Sequence, residues 1–214
     1  MIDKIYCIGD SHCRFFSKRN IPKENYRDLH KYFDIYWLGA STAYSLIKSQ
    51  TRTNGRKKMF RYLKRIPEGS TVMLFFGEVD CRVHLVKQAR RRNKSFEYIV
   101  EECVSRYFSV ILEIIAMGFY VVVFNVIPST LSKNCKKVPV YGNYRDRNKI
   151  SDMFNKSLSE LCKDKCVFIS VFDRFINKKF KIRTSYYRDA VHLGAAAYPI
   201  VVEEMNKLVK GFDY

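Results

Sequence analysis

The chain has 214 residues, 47% of them hydrophobic and 28% charged, a balance that excludes an extensively disordered protein and suffices to bury one sizeable core. Its 39 Lys and Arg against 21 Asp and Glu leave a formal charge of +18. That charge fits anionic partners, whether polysaccharide, nucleotide sugar, nucleic acid or a membrane surface, and equally a Lys-rich surface that is simply solvated.

In chain order, residues 2–8 alternate imperfectly and run into Gly9-Asp10-Ser11-His12, a strand followed by a turn. Residues 32–38 predict a second strand, ended by Gly39. Ser41 or Thr42 is placed to cap a helix to residue 49, and residues 57–65 predict another short helix. Residues 71–76 are continuously apolar, as in a strand covered on both faces. From residue 95 to 117, Ile99, Val100, Cys103, Val104 and Tyr107 recur at helical spacing, and Gly118 stops the pattern. Residues 119–126 predict a buried strand closed by Pro128, and the basic stretch 133–143 a long mobile loop. A helix at 146–161, a strand at 167–172 and a helix at 194–210 complete the chain. The basic cluster Arg90 to Lys94 reads as a solvated turn just before a helix. Alternating strands and helices call for a parallel sheet with helices on both faces, a three-layer α/β/α sandwich, here as one domain over residues 1–214.

The longest apolar run, residues 118–126, falls short of the roughly 20 residues that span a bilayer, and the first residues lack a secretory leader pattern. Cys7, Cys13, Cys81, Cys103, Cys135, Cys162 and Cys166 form an odd set without paired Cys-x-x-Cys spacing, which favours inert thiols over disulfides or zinc. A cytoplasmic location, including the inner membrane surface, is the expectation.

Ligands of open parallel sheets bind beyond the carboxyl ends of the strands. Ser11 lies at one such end, and Asp189 and His192 precede the last helix. Together they supply a nucleophile, a base and a group to orient the base. The structural alternatives are a helix cap for Ser11 and a capping pair for Asp189 and His192. Glu78 and Asp80 are expected to pair with Arg82 or Arg145, and His12, His30 and His84 to lie at the surface or behind the reacting groups. Cys13 and Cys81 flank the cleft without a nucleophile motif.

Gly9-Asp10-Ser11, Gly39 and Asp189-x-x-His192 resemble the first, second and closing blocks of the SGNH (GDSL-like) hydrolases. Residues 76–82, Phe-Gly-Glu-Val-Asp-Cys-Arg, are similar to a segment of an SGNH-like group associated with bacterial surface polysaccharide biosynthesis. The segment 38–46, and Pro139-Val-Tyr-Gly followed by Arg145 and Asn148, are similar to other parts of that group. The resemblance implies a flavodoxin-like SGNH fold and a triad of Ser11, Asp189 and His192 that needs neither metal nor organic cofactor. It also implies an oxyanion and substrate site around Gly39, Gly77, Asp80, Arg82 and Arg145. One departure stands out: Val79 occupies the position of the family's oxyanion Asn, and losing one such donor typically costs about 10²–10³ in rate. The backbone N–H groups of Ser11 and Gly39 remain, with Arg82 as a charged replacement. The implied activity is that of a serine esterase acting through an acyl-enzyme on an acetylated carbohydrate or another small ester. The alternatives are a sugar O-acyltransferase of the same fold and a non-catalytic basic protein that binds nucleic acid or anionic glycan.

Overall fold

A computed structural model of the chain describes residues 4–130 and 138–214. Its sheet holds five strands, β1 (Ile5–Gly9), β2 (Phe33–Trp37), β3 (Thr71–Phe75), β4 (Tyr120–Phe124) and β5 (Val167–Ile169), in the order β2-β1-β3-β4-β5. Every pairing is parallel. Because successive side chains of a strand point to opposite faces, each central strand feeds two cores. Val72, Leu74, Val121 and Val123 enter one, while Met73, Phe75, Val122 and Phe124 enter the other. This double burial explains why β3 and β4 are apolar runs without polar alternation.

Helices α1 (Gly55–Leu63), α2 (Val86–Arg92), α3 (Phe96–Ala116) and α4 (Tyr144–Cys162) cover the first face with Met59, Leu63, Tyr107, Phe154 and Leu158. The second face is closed by α5 (Tyr198–Leu208), through Tyr198, Val201 and Met205, together with Phe16 and Phe33. The result is the three-layer α/β/α sandwich anticipated from the alternation of elements. Ser95 caps α3 by accepting from the Tyr98 N–H at 3.2 Å, and Asn143 caps α4 by accepting from that of Asp146 at 2.8 Å, which starts α4 two residues before the predicted residue 146. Among the described residues no helix is long and apolar enough to cross a membrane.

Three elements differ from expectation. The helix predicted to residue 49 is a single 3-10 turn, Ala43–Ser45. The Ser41 hydroxyl donates to the Leu38 carbonyl at 3.0 Å, and the carboxylate of Asp80 takes the Ala43 and Tyr44 N–H groups, so tertiary bonds replace a helical start. After β3, a π-helical stretch Asp80–Leu85 runs directly into α2, so the basic cluster does lie just before a helix, α3, but Arg90 to Arg92 form the last turn of α2 and only Asn93 and Lys94 are the turn between the two. Cations there meet the carbonyl end of the helix dipole. Of the predicted mobile loop, residues 133–137 lie outside the described residues, as does Cys135. The described part is fastened: the Tyr141 N–H donates to the Arg82 carbonyl at 3.0 Å, and Arg82 donates to the Pro139 carbonyl. The six described cysteines are free.

Candidate active site

With β1 lying between β2 and β3, the chain leaves β1 toward one side of the sheet and later returns on the other, which opens a crevice beyond the carboxyl ends of β1 and β3. Gly9 makes the exit possible, since a Cβ there would stand 2.2 Å from the Phe75 carbonyl oxygen. Past it, the Asp10 N–H donates to that same carbonyl at 3.0 Å. The Asp10 carboxylate then accepts from the His12 N–H at 2.9 Å and starts the 3-10 turn Ser11–Phe16. Ser11 is thereby presented at the crevice as the first residue of a turn.

The second half of the site is the loop before α5. It is closed by the Arg188 N–H donating to the His192 carbonyl at 3.0 Å, and by the Gly194 N–H donating to that of Tyr186 at 2.7 Å. The Tyr187 hydroxyl anchors the loop by donating to the Pro128 carbonyl at 2.8 Å, just beyond β4. Within it, Asp189 Oδ1 accepts from the Val191 and His192 N–H groups at 2.9 and 2.8 Å. The same carboxylate faces His192 Nδ1 at 3.0 and 2.8 Å. His192 Nε2 meets Ser11 Oγ at 2.8 Å, joining groups 181 residues apart.

The electrostatics suit proton abstraction. Burial works against a charge on Asp189, but the N–H groups of Val191 and His192 and the imidazole outweigh it and bring the carboxyl down to about 2. His192 is lowered from the usual imidazole value, by burial first and by the neighbouring charge of His12 second, with Asp189 pulling the other way. Near neutrality the ring is uncharged. Nδ1 carries the proton toward Asp189, and the Nε2 lone pair faces the serine hydroxyl, a tautomer fixed by the hydrogen-bond partners.

The remaining predicted residues divide between support and surface. Gly39 has φ of +76° and nothing within 4 Å of the place a Cβ would take. It is held beside the Ser11 turn because the preceding Leu38 N–H donates to the Gly9 carbonyl at 2.8 Å. Among the described residues, the N–H groups of Ser11 and Gly39 make no backbone hydrogen bond. Asp80 is fully buried beneath the same loop, accepting from Ala43 and Tyr44 at 2.7 and 3.2 Å. Burial pushes its carboxyl up to about 6 against those two N–H groups, with the charge of Asp10 adding to the rise. Gly77, at φ of +107°, turns where a Cβ would press on Val126 and Phe154. Arg82 is buried, with Nε on Glu78 Oε1 at 2.5 Å, and is absent from the lining of the recess at Ser11. Arg145 is exposed, its Nε donating to the Tyr144 hydroxyl at 3.3 Å. Ser11, Asp189 and His192 are therefore brought together, Gly39 adjoins them, Gly77, Asp80 and Arg82 lie behind or beside the loops, and Arg145 stands outside.

Two features escaped the sequence reading. A narrow recess of about 20 Å³ at Ser11 and His192 is walled by Phe15, Phe124, Ile127 and Leu193, with Arg188 on its lining. Those walls come from separate segments that read only as core. His12 also lines it, and its sole sequence signal was the flanking of Ser11 by Asp10 and His12. Asp10, His12 and Glu78 each offer a ligand-type atom, all within 4.8 Å of one another. Asp10 is already set against His12, and Glu78 against Arg82, so the cluster reads as two opposed-charge pairs and is not assigned to a metal.

No family model matches the chain, and no curated protein sequence does. Solved structures do. The acetyl xylan esterase AlAXEase aligns with a TM-score of 0.55 at 17% identity, covering 95% of this chain and 98% of that one. The chain has the SGNH-hydrolase fold. The psychrotrophic esterase EstA from Pseudoalteromonas, in a structure inhibited by monoethylphosphonate, has a TM-score of 0.51 at 13% identity and covers 97% of both chains. A GDSL-like lipase from Bacteroides thetaiotaomicron gives 0.54 at 12% identity, over 97% of this chain and 86% of that one. At such identities the SGNH fold is what the likeness establishes, and chemistry has to be argued from the side chains.

Proposed function

We propose that this SGNH-fold protein is a serine esterase for short acyl groups, with acetylated carbohydrate as its substrate class. One observation carries the reading: the 2.8 Å contact of Ser11 Oγ with His192 Nε2, backed by Asp189 on the other ring nitrogen. Ser11 attacks the ester carbonyl as its proton passes to His192 Nε2, and the carbonyl π electrons move onto oxygen. The backbone N–H groups of Ser11 and Gly39, which have no backbone partner among the described residues, are the donors proposed for that oxyanion. Collapse expels the alcohol, which takes the proton from His192 and leaves an acyl-serine. Water, deprotonated by the same imidazole, then releases the carboxylic acid and restores the serine. A sugar hydroxyl in place of water would make the second half an acyl transfer.

The 20 Å³ recess supports the choice of acyl group, because it is little larger than one water and its walls are apolar. An acetyl methyl matches that space. The net charge of +18 favours an anionic glycan as the carrier, the acetyl xylan esterase supplies the fold-level analogy, and the resemblance of residues 76–82 points to surface polysaccharide biosynthesis. The test is labelling by a serine-directed fluorophosphonate, run beside turnover of p-nitrophenyl acetate, butyrate and octanoate. Wild type should label and favour acetate, and Ser11→Ala and His192→Ala should do neither. Equal inertness of all three toward esters and label refutes the assignment.

A further inference from the structure

The group left unexplained by the triad is His12. It follows the nucleophile directly, and its ring centroid stands 5.0 Å from that of His192. Nε2 lies 3.0 Å from the Val191 carbonyl oxygen. A carbonyl can only accept, so Nε2 carries a hydrogen. Nδ1 lies 3.0 Å from Asp10 Oδ1, which already accepts from the backbone N–H of His12. A bare nitrogen lone pair against that oxygen would set two acceptors in contact, and imidazole is the stronger base of the two. Both ring nitrogens are thus placed to be protonated.

The surroundings favour the charge that this implies. Asp10 Oδ2 and Glu78 Oε2 are buried oxygens without a hydrogen-bond partner among the described residues. Both side chains line, with His12, a small cavity of about 10 Å³ whose other walls are largely apolar. Glu78 is balanced by Arg82, and among the described residues Asp10 has no cation but His12 against it. From the loop before α5, the groups on this side are His192, its partner Asp189, and Arg188. Burial opposes a charge on His12, but Asp10, then Glu78 and the Val191 carbonyl, raise it to about 9.

Resting on the triad reading, we propose that His12 is a positively charged positioning residue. Its imidazolium, held by Asp10, clamps the Asp189–His192 loop through the Val191 carbonyl and opposes a second charge on His192, keeping the catalytic base in its proton-accepting form. His12 exchanges no proton with substrate in this role. It keeps its charge while His192 gains and loses one, and its two hydrogen bonds tie together the nucleophile turn and the base loop, which the chain separates widely.

Nitrogen-15 NMR of the histidine rings, followed through a pH titration, tests the idea without turnover. In wild type His12 should show two protonated ring nitrogens at about pH 7 while His192 shows one. In His12→Gln, which retains a side-chain donor but no charge, His192 should titrate at higher pH. Asp10→Asn, which removes the counter-ion that holds the proton on His12, should move it in the same direction and serves if His12→Gln folds poorly. Fluorophosphonate labelling of His12→Gln should fall several-fold at about pH 5.5 and recover toward wild type at about pH 8. A neutral, single-tautomer His12 in wild type at about pH 7, or an unmoved His192 titration in a folded variant, overturns the proposal. Wild type that fails to label although His12 is charged and shifts His192 condemns the esterase reading, and leaves the electrostatic coupling of the two rings standing.

Discussion

At the level of single residues, the grouping of Ser11, His192 and Asp189 was legible because each sits in a short local pattern at a strand end or before a helix. His12 was legible only as a surface or supporting histidine, because the Val191 carbonyl, 179 residues away, and the neighbouring Glu78 are brought to it by the fold. Arg82 illustrates the opposite case: a cation in a conspicuous motif whose guanidinium is occupied by Glu78 and the Pro139 carbonyl. The triad geometry gives a defined expectation for Asp189→Asn. The amide cannot hold the imidazole in the required tautomer, so kcat for p-nitrophenyl acetate should fall about 10³–10⁴-fold with the circular dichroism unchanged. Because His192 is lowered from 6.5, kcat/KM should lose activity on the acid side only below about that value. A limb centred well above it would contradict the site's electrostatics. The recess makes a further demand. Phe124→Ala or Ile127→Ala should enlarge it and raise the rate on butyrate relative to acetate, and an unchanged ratio would show that the acyl group lies elsewhere.

Among the elements, long amphipathic helices and buried strands were readable within a few residues, since their periodicity is set by the core they face. The exceptions are Ala43–Ser45 and the π-helical Asp80–Leu85, and the first has a visible cause. The Asp80 carboxylate reaches 37 and 36 residues back to the Ala43 and Tyr44 N–H groups, a contact no local pattern encodes. Strand β1 carries the sharpest constraint. A methyl at Gly9 would be driven to 2.2 Å from the Phe75 carbonyl oxygen, and backbone on a central strand cannot yield as a side chain would. Gly9→Ala should therefore destabilise by about 2–4 kcal/mol in urea unfolding and displace the nucleophile turn. Gly39→Ala is the control: nothing stands within 4 Å of its added methyl, but φ of +76° is unfavourable for an L residue. A cost of about 1 kcal/mol is expected there. Equal losses for both would mean that crowding at β1 is not what the sequence uses a glycine to avoid.

In the molecule as a whole, among the groups that titrate between about pH 4 and 9, His12 and Asp80 are placed where folding favours the protonated form, and this shapes the response to pH. His12 is raised from 6.5 to about 9, so its contribution is complete below 6.5 and is lost as pH rises through 9. Asp80 is raised from 3.8 to about 6, so its contribution is complete below 3.8 and is lost as pH rises through 6. Each shift corresponds to about 3 kcal/mol. Asp189 acts in the opposite sense: lowered from 3.8 to about 2, it favours folding above 3.8 and withdraws that support as pH falls through 2. The three together place the stability maximum in mildly acidic solution, against the self-repulsion of a chain with formal charge +18. Added salt should reduce that repulsion and uncover the buried contributions. Urea unfolding at constant high ionic strength should accordingly show the free energy of unfolding declining from about pH 5 to about pH 9. In His12→Gln the portion of the decline above about pH 6.5 should flatten while the portion below it, which belongs to Asp80, persists. Stability that climbs over the same range in wild type would mean that neither buried group holds its proton in the folded state.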